Sequence, residues 1–288
     1  MKTLRLALAA LALCAIAAPS FAQEPYGTLK KVRDTKTFTI GHREASFPFA
    51  YYDDQKKPTG FAVELCTRIG EAVKEELKMP DIAIRYLPIN AQTRIPLLTN
   101  GTIDIECGST TNNLTRQQQV DFTYSFYVTG GRLLASKASG IKEVENLNGK
   151  AVGVAPGTSN ERVLNTLIEQ LKLKLRLVTV RDHAEGMLAL ETGRIDAYMH
   201  DEVGQFALLA KSTQRQRFEV VGRLVSFDPY GLMIRRDDSA FKHVANRTLA
   251  KIYRSGEVNE MFKRHFDPFG IPMTPAVEWI FKLNSMPD

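Results

Sequence analysis

The sequence predicts an α/β protein of two lobes, each a sheet flanked by helices, with a ligand cleft between them. Three observations carry this. The chain has 288 residues, more than one ordinary domain holds. Strand-like stretches alternate with stretches at helical spacing, the order of βαβ units, so parallel sheets are expected. The second half of the chain then replays the order of the first.

The N-terminus stands apart from that pattern. "MKTLRLALAALALCAIAAPSFA" carries Lys2 and Arg5, an apolar run from Leu6 to Ala18, and small residues around Ser20 and Ala22. This is the layout of a cleavable secretory signal peptide over 1–22, and the run is short for a membrane span, which takes ~20 residues. A lipid anchor at Cys14 is disfavoured because Leu13 precedes it. The mature chain is expected to be a periplasmic protein of about 266 residues, with lobe one built from 23–127 plus 228–288 and lobe two from 128–227.

The elements follow in order. "TKTFTIG" (35–41) reads as a strand. In 60–77, Phe61, Leu65, Ile69, Val73 and Leu77 recur four apart, one face of a helix. "IAIRYLPI" (82–89) alternates as a strand, "RIPLLTNG" (94–101) is a short helix stopped by Gly101, and "TIDIECG" (102–108) is a strand. In the second half, 150–155 is a strand, 159–171 a helix, 175–180 a strand, 184–193 a helix and 194–199 a strand. "IPLLTNGTID" (95–104) overlays "MLALETGRID" (187–196) at an offset of 92. That offset sets Ser109 opposite Asp201 and Ala91 opposite His183. Chain crossings between the lobes are expected near 127–132 and 222–228.

Charge and cysteine content narrow the function. Subtracting Lys2 and Arg5 from the formal +6 leaves +4, spread without a basic stripe or aromatic interleaving, so no nucleic-acid partner is expected. Cys66 and Cys107 either form a disulfide or remain buried thiols; spacing does not decide. No histidine or cysteine spacing suits a metal, and no cofactor is expected.

In open α/β sheets a ligand sits beyond the carboxyl ends of the strands. Reading just past each strand gives Arg43 and the aromatic run containing Phe49, then Arg94, then Ser109, Thr111 and Arg116. The second half gives Thr158 at a helix start suited to an anion, then His183, then Asp201. Each has a plain reading. Arg43 and Arg94 taken singly read as solvated or structural arginines, His183 as a helix-start residue, Asp201 as a helix cap, and Phe49 as core. Together they suit a small zwitterion with an extra negative charge: arginines for two carboxylates, a lone carboxylate for an amine.

The strings "GHREASFPFAYYD" (41–53), "QTRIPLLTNGTIDIECGSTTNNLTRQ" (92–117), "GKAVGVAPGTS" (149–159), "DHAEGMLALETGRIDAYMHDE" (182–202) and "YGLMIRRDD" (230–238) resemble the periplasmic solute-binding proteins of polar amino-acid ABC transporters. The similarity runs to the glutamate/aspartate-binding branch and covers the mature chain. It implies the type II periplasmic-binding fold, a monomer closing over one amino acid, and a permease and ATPase complex at the inner membrane as partner. By the same resemblance Arg116 holds the α-carboxylate with Ser109, Thr111 and the Thr158 helix start. Asp201 takes the ammonium; Arg43, Arg94 and His183 face the side-chain carboxylate; Phe49 forms an aromatic wall. Where relatives carry a serine, this chain has Ala91.

Two other classes compete with transport. A cyclohexadienyl dehydratase on the same fold needs a carboxyl acid in the cleft, and Glu44 is the candidate. A sensory module would need a separate receptor partner.

Overall fold

The computed structural model describes residues 26–287; the expected signal peptide and Cys14 lie outside the described residues. The chain opens with α1 (Gly27–Thr35), β1 (Thr37–His42) and a small three-stranded sheet of β2 (Ala45–Ser46), β3 (Ala50–Tyr52) and β4 (Pro58–Thr59). There follow α2 (Phe61–Leu77), β5 (Ala83–Pro88), α3 (Arg94–Thr99), β6 (Ile105–Cys107), α4 (Leu114–Gln117) and β7 (Val120–Thr129). After Gly130 come β8 (Gly131–Ser136), β9 (Ala151–Val154), α5 (Ser159–Gln170), β10 (Arg176–Thr179), α6 (His183–Glu191), β11 (Ala197–Asp201), α7 (Glu202–Lys211) and β12 (Phe218–Val221). The chain then runs through β13 (Asp228–Arg235), α8 (Ser239–Ser255), α9 (Glu257–Phe266) and α10 (Pro275–Leu283).

Two five-stranded sheets organise these elements, in the orders β5-β1-β6-β13-β7 and β10-β9-β11-β8-β12. The expectation of parallel sheets holds for three strands of each and fails for the other two. β1 pairs in parallel with β5 and β6, and β9 with β10 and β11, whereas β13 and β8 run antiparallel to both their neighbours. The cause is connectivity. β7 leaves the first sheet and β13 returns to it side by side, so they must oppose each other. β8 and β12 enter and leave the second sheet in the same way.

The repeat at offset 92 is visible in this layout. β6 and β11 begin 92 residues apart and take equivalent places beside β1 and β9. α3 and α6 stand just before them.

Each sheet is covered on both faces. Phe38, Ile40, Phe61, Leu65, Ile69, Val73, Phe241 and Val244 pack together on one face of the first sheet; Ile89, Leu98, Ile103, Phe122 and Met233 pack on the other. The four-residue spacing in α2 produces this directly, since Phe61, Leu65, Ile69 and Val73 are all fully buried. Each such side chain contributes about 1.5–3 kcal/mol. α2 ends where Lys78 takes a left-handed φ of 55° and its N–H turns back to Glu75 O and Lys74 O.

Cys66 on α2 and Cys107 at the end of β6 form a disulfide, with Cα atoms 6.3 Å apart. The bond ties the helix to the strand that leads into the polar segment 108–117. The cysteines are 41 residues apart, and closing a loop of that length stabilises a fold by roughly 4 kcal/mol. Cys66→Ser with Cys107→Ser is expected to lower Tm by roughly 8–15 °C, read by calorimetry. A drop below about 2 °C would show that the bond is no staple.

Candidate functional site

The carboxyl ends of β1, β5, β6, β9, β10 and β11 bring their following segments to one narrow, closed cleft bounded by both sheets. Arg43, Arg94, Ser109, Thr111, Arg116, Thr158, His183 and Asp201 line it, joined by Ser159, Asn160 and His200. Phe49 is placed elsewhere. It is 1 % exposed and sits in the aromatic core, edge-on to Phe126, Tyr127, Tyr230 and Phe266. The expected aromatic wall is thus one layer behind the cavity, because Tyr230 stands between Phe49 and Asp201.

The three arginines are held differently. Arg94 opens α3, 1 % exposed, and donates from Nη1 to Thr110 Oγ1 at 2.5 Å and from Nη2 to the Gly157 carbonyl at 3.1 Å. Arg116 lies in α4, whose N-cap Asn113 accepts its backbone N–H. It donates from Nη1 to Thr111 O at 2.7 Å and from Nη2 to the same Gly157 carbonyl at 3.3 Å. Arg43, 3 % exposed, makes no side-chain hydrogen bond to any described residue. None of the three is a solvated surface arginine.

Burial depresses the pKa of each arginine, and for Arg94 the neighbouring Arg116 adds to the effect. The charge that offsets this for all three is Glu106 on β6. Glu106 is fully buried, and neither carboxylate oxygen has a hydrogen-bond partner among the described residues. Its Oε1 and the Arg43 stem converge on Gly108, where an added Cβ would meet them at 2.7 and 2.8 Å. The sequence reading missed Glu106. In "TIDIECG" the alternation marks it as the polar face of a strand, and nothing local says that this face is covered too.

The opposite wall carries the negative charge. Asp201 occupies the N-cap position of α7 yet makes no capping bond. One oxygen accepts from Asn160 Nδ2 at 2.9 Å and the other from the Tyr230 hydroxyl. Burial raises its pKa. Thr158 caps α5, accepting the Glu161 N–H at 3.2 Å, and Ser159 exchanges a hydroxyl bond with Thr111 at 3.0 Å. Thr111 also donates to Asp228 at 2.8 Å.

His183 begins α6, where Asp182 and not His183 supplies the cap. Its ring stacks on His200 with centroids 3.8 Å apart and 15° between planes. Burial holds His183 well below the usual histidine pKa and lowers His200 to about 3, so both are neutral at pH 7. His200 and Tyr198 were not singled out by the sequence reading because in "DAYMHDE" they look like strand core.

Ala91, where relatives were expected to carry serine, is 7 % exposed. It faces Gly157, whose φ is +76° and whose added Cβ would lie 2.9 Å from the Ala91 carbonyl oxygen. Backbones from the two sheets therefore touch at this point, which a side chain at 157 would prevent.

The chain matches the model of the bacterial extracellular solute-binding proteins, family 3, over residues 38–268. It is 41 % identical to the L-glutamate/L-aspartate-binding protein of Pseudomonas aeruginosa, covering 94 % of this chain and 92 % of that one. It is 42 % identical to the glutamate/aspartate import solute-binding protein of Escherichia coli, over 83 % of this chain and 79 % of the relative. Among solved structures, a mutant of ArgBP from T. maritima superposes with a TM-score of 0.74 at 22 % identity, covering 84 % of this chain and 100 % of that one. With a match across most of its length and relatives above 40 % identity, the chain belongs to the bacterial extracellular solute-binding proteins of family 3.

Proposed function

We propose that the cleft captures L-glutamate or L-aspartate in the periplasm and that the protein, as a monomer, delivers it to the permease and ATPase of an inner-membrane ABC importer. The observation that carries this is the charge lining of the cavity: three buried arginines face one buried aspartate. Buried guanidinium groups left without counter-charge cost several kcal/mol each. An acidic amino acid brings two carboxylates and one ammonium, and Glu106 behind the wall offsets the remaining arginine. The names of the relatives point the same way.

The roles follow from how each group is committed. Arg116, Ser109, Thr111 and the α5 start at Thr158 take the α-carboxylate. Asp201 takes the ammonium, since its two hydrogen bonds leave lone pairs free on a carboxylate that has about four. Arg43 and Arg94, with His183, take the side-chain carboxylate. The lobes are 23–127 plus 228–288 and 128–227, with crossings near 127–132 and 222–228. A ligand bridging them favours the closed form by its differential affinity for the two forms.

The dehydratase reading loses its acid, because Glu44 faces solvent. The relatives named for glutamate and aspartate are solute-binding proteins, not enzymes.

A thermal-shift panel on refolded, ligand-stripped protein tests the reading. Ligand at a hundredfold excess over Kd adds about 2.7 kcal/mol, a shift of roughly 5–10 °C. Aspartate or glutamate should give it; arginine and prephenate should not. A shift with prephenate alone would hand the site to the enzyme reading.

Calorimetric titration divides the arginines. Arg116→Ala is expected to abolish binding of every amino acid, whereas Arg43→Ala mainly weakens the acidic ones, by about tenfold or more. Equal losses across ligands for both variants would overturn the division.

The pH dependence has a definite sign. Burial raises the folded Asp201 pKa above 3.8, so this group stabilises the ligand-free fold below the unfolded value and loses that contribution as pH rises through the folded one. An ammonium beside Asp201 favours the ionised form, so binding releases a proton in that window. Affinity should rise with pH there, and Asp201→Asn should flatten the slope. An unchanged slope in the variant would remove Asp201 from the ammonium site.

A further inference from the structure

We propose that Tyr198 fixes His183 as the neutral Nε2–H tautomer, so that the imidazole enters the cleft as an uncharged hydrogen-bond donor. Tyr198 lies on β11 and is fully buried. Its hydroxyl bonds to His183 Nδ1 at 2.8 Å and to no other described residue. A buried O–H that donates to nothing is costly, and His183 Nδ1 is the acceptor within reach. Nδ1 therefore carries no proton, and the proton of the neutral ring sits on Nε2. An Nδ1–H tautomer, or an imidazolium, would turn the bond round and strand the phenolic hydrogen. His183 Nε2 has no hydrogen-bond partner among the described residues and belongs to a side chain that lines the cavity.

The surroundings hold this arrangement from two sides. At Gly186, one turn along α6 from His183, an added Cβ would lie 2.6 Å from Tyr198 Cζ. The phenol ring is thus seated directly on the helix backbone. His200 stacks on a face of the histidine whose edge Tyr198 meets at Nδ1, and the Nε2 of His200 comes within 2.1 Å of where a Cβ would stand at Gly204 on α7. Two bare backbone positions admit the two rings that pack against His183, one at its edge and one on its face.

The charges around the pair also favour a neutral ring. Arg43 and Arg94 face His183 and disfavour a proton, as does His200. Asp182 is adjacent, but its carboxylate caps α6 through the Glu185 N–H at 2.9 Å and pairs with Arg181. Resting on the amino-acid-binding reading, the consequence concerns selectivity. A neutral N–H serves a carboxylate oxygen and an amide carbonyl alike, so His183 adds a bond without a fourth positive charge. Discrimination between an acid and its amide then falls to Arg43 and Arg94.

The test is imidazole nitrogen NMR on protein with ¹⁵N-labelled histidine, ligand-free at pH 7. His183 is assigned by the signals lost in His183→Gln. The expected spectrum shows a protonated Nε2 and a bare Nδ1, and Tyr198→Phe is expected to mix the two tautomers. That variant should also weaken glutamate about three- to tenfold. A protonated Nδ1, an imidazolium, or a tautomer unmoved by Tyr198→Phe would overturn the proposal. If Tyr198→Phe fails to fold, the wild-type spectrum alone decides. The spectrum needs no ligand, so a protein that binds no acidic amino acid would sink the transport reading and leave the tautomer assignment standing.

Discussion

Much of this structure depends on the burial of three guanidinium groups at one place. Arg43, Arg94 and Arg116 are all within a few per cent of complete burial. Charges of one sign gathered in a medium of low dielectric repel one another and lose hydration together. They are tolerated here because a hydroxyl and backbone carbonyls reach Arg94 and Arg116 from two chain segments, 108–117 and 157, and because Glu106 lies beneath all three. The disulfide at Cys107 matters for the same reason. It anchors the strand end from which Ser109, Thr110 and Thr111 fan out.

The Gly157 carbonyl joins this cluster to the second sheet. It accepts from both Arg94 and Arg116, so one oxygen of the second lobe reads the position of two side chains of the first. The glycine that bears it also lies against Ala91. Ala91 thereby contributes a backbone contact between the two lobes.

The sequence made the α/β alternation, the helix faces and the repeat legible because these rest on local periodicity and on residues that recur at a fixed offset. α3 with β6 and α6 with β11 were read from their own local patterns, and the offset of 92 then paired them. The antiparallel strands were not legible, since β13 pairs with β7 across about a hundred residues of intervening chain. Eight of the singled-out residues share one cavity because position after a parallel strand is a rule of topology. Phe49, Glu106, Tyr198 and His200 escaped that rule. Whether a side chain lines a cavity or lies one layer behind it depends on packing from elements far away in the chain, here β13 for Phe49 and α7 for His200.

That second layer links the core to the cavity. Phe49 packs edge-on against Tyr230, Tyr230 donates to Asp201, and Asp201 stands at the start of α7. Tyr230 belongs to β13 of the first sheet and Asp201 to β11 of the second, so this bond crosses between the lobes. It fixes one oxygen of the carboxylate, Asn160 fixes the other, and neither bond consumes both lone pairs of its oxygen. The ammonium proposed to bind at Asp201 would therefore meet an acceptor already oriented and already partly desolvated. Little conformational entropy remains to be lost in forming that contact, which is the physical meaning of preorganisation.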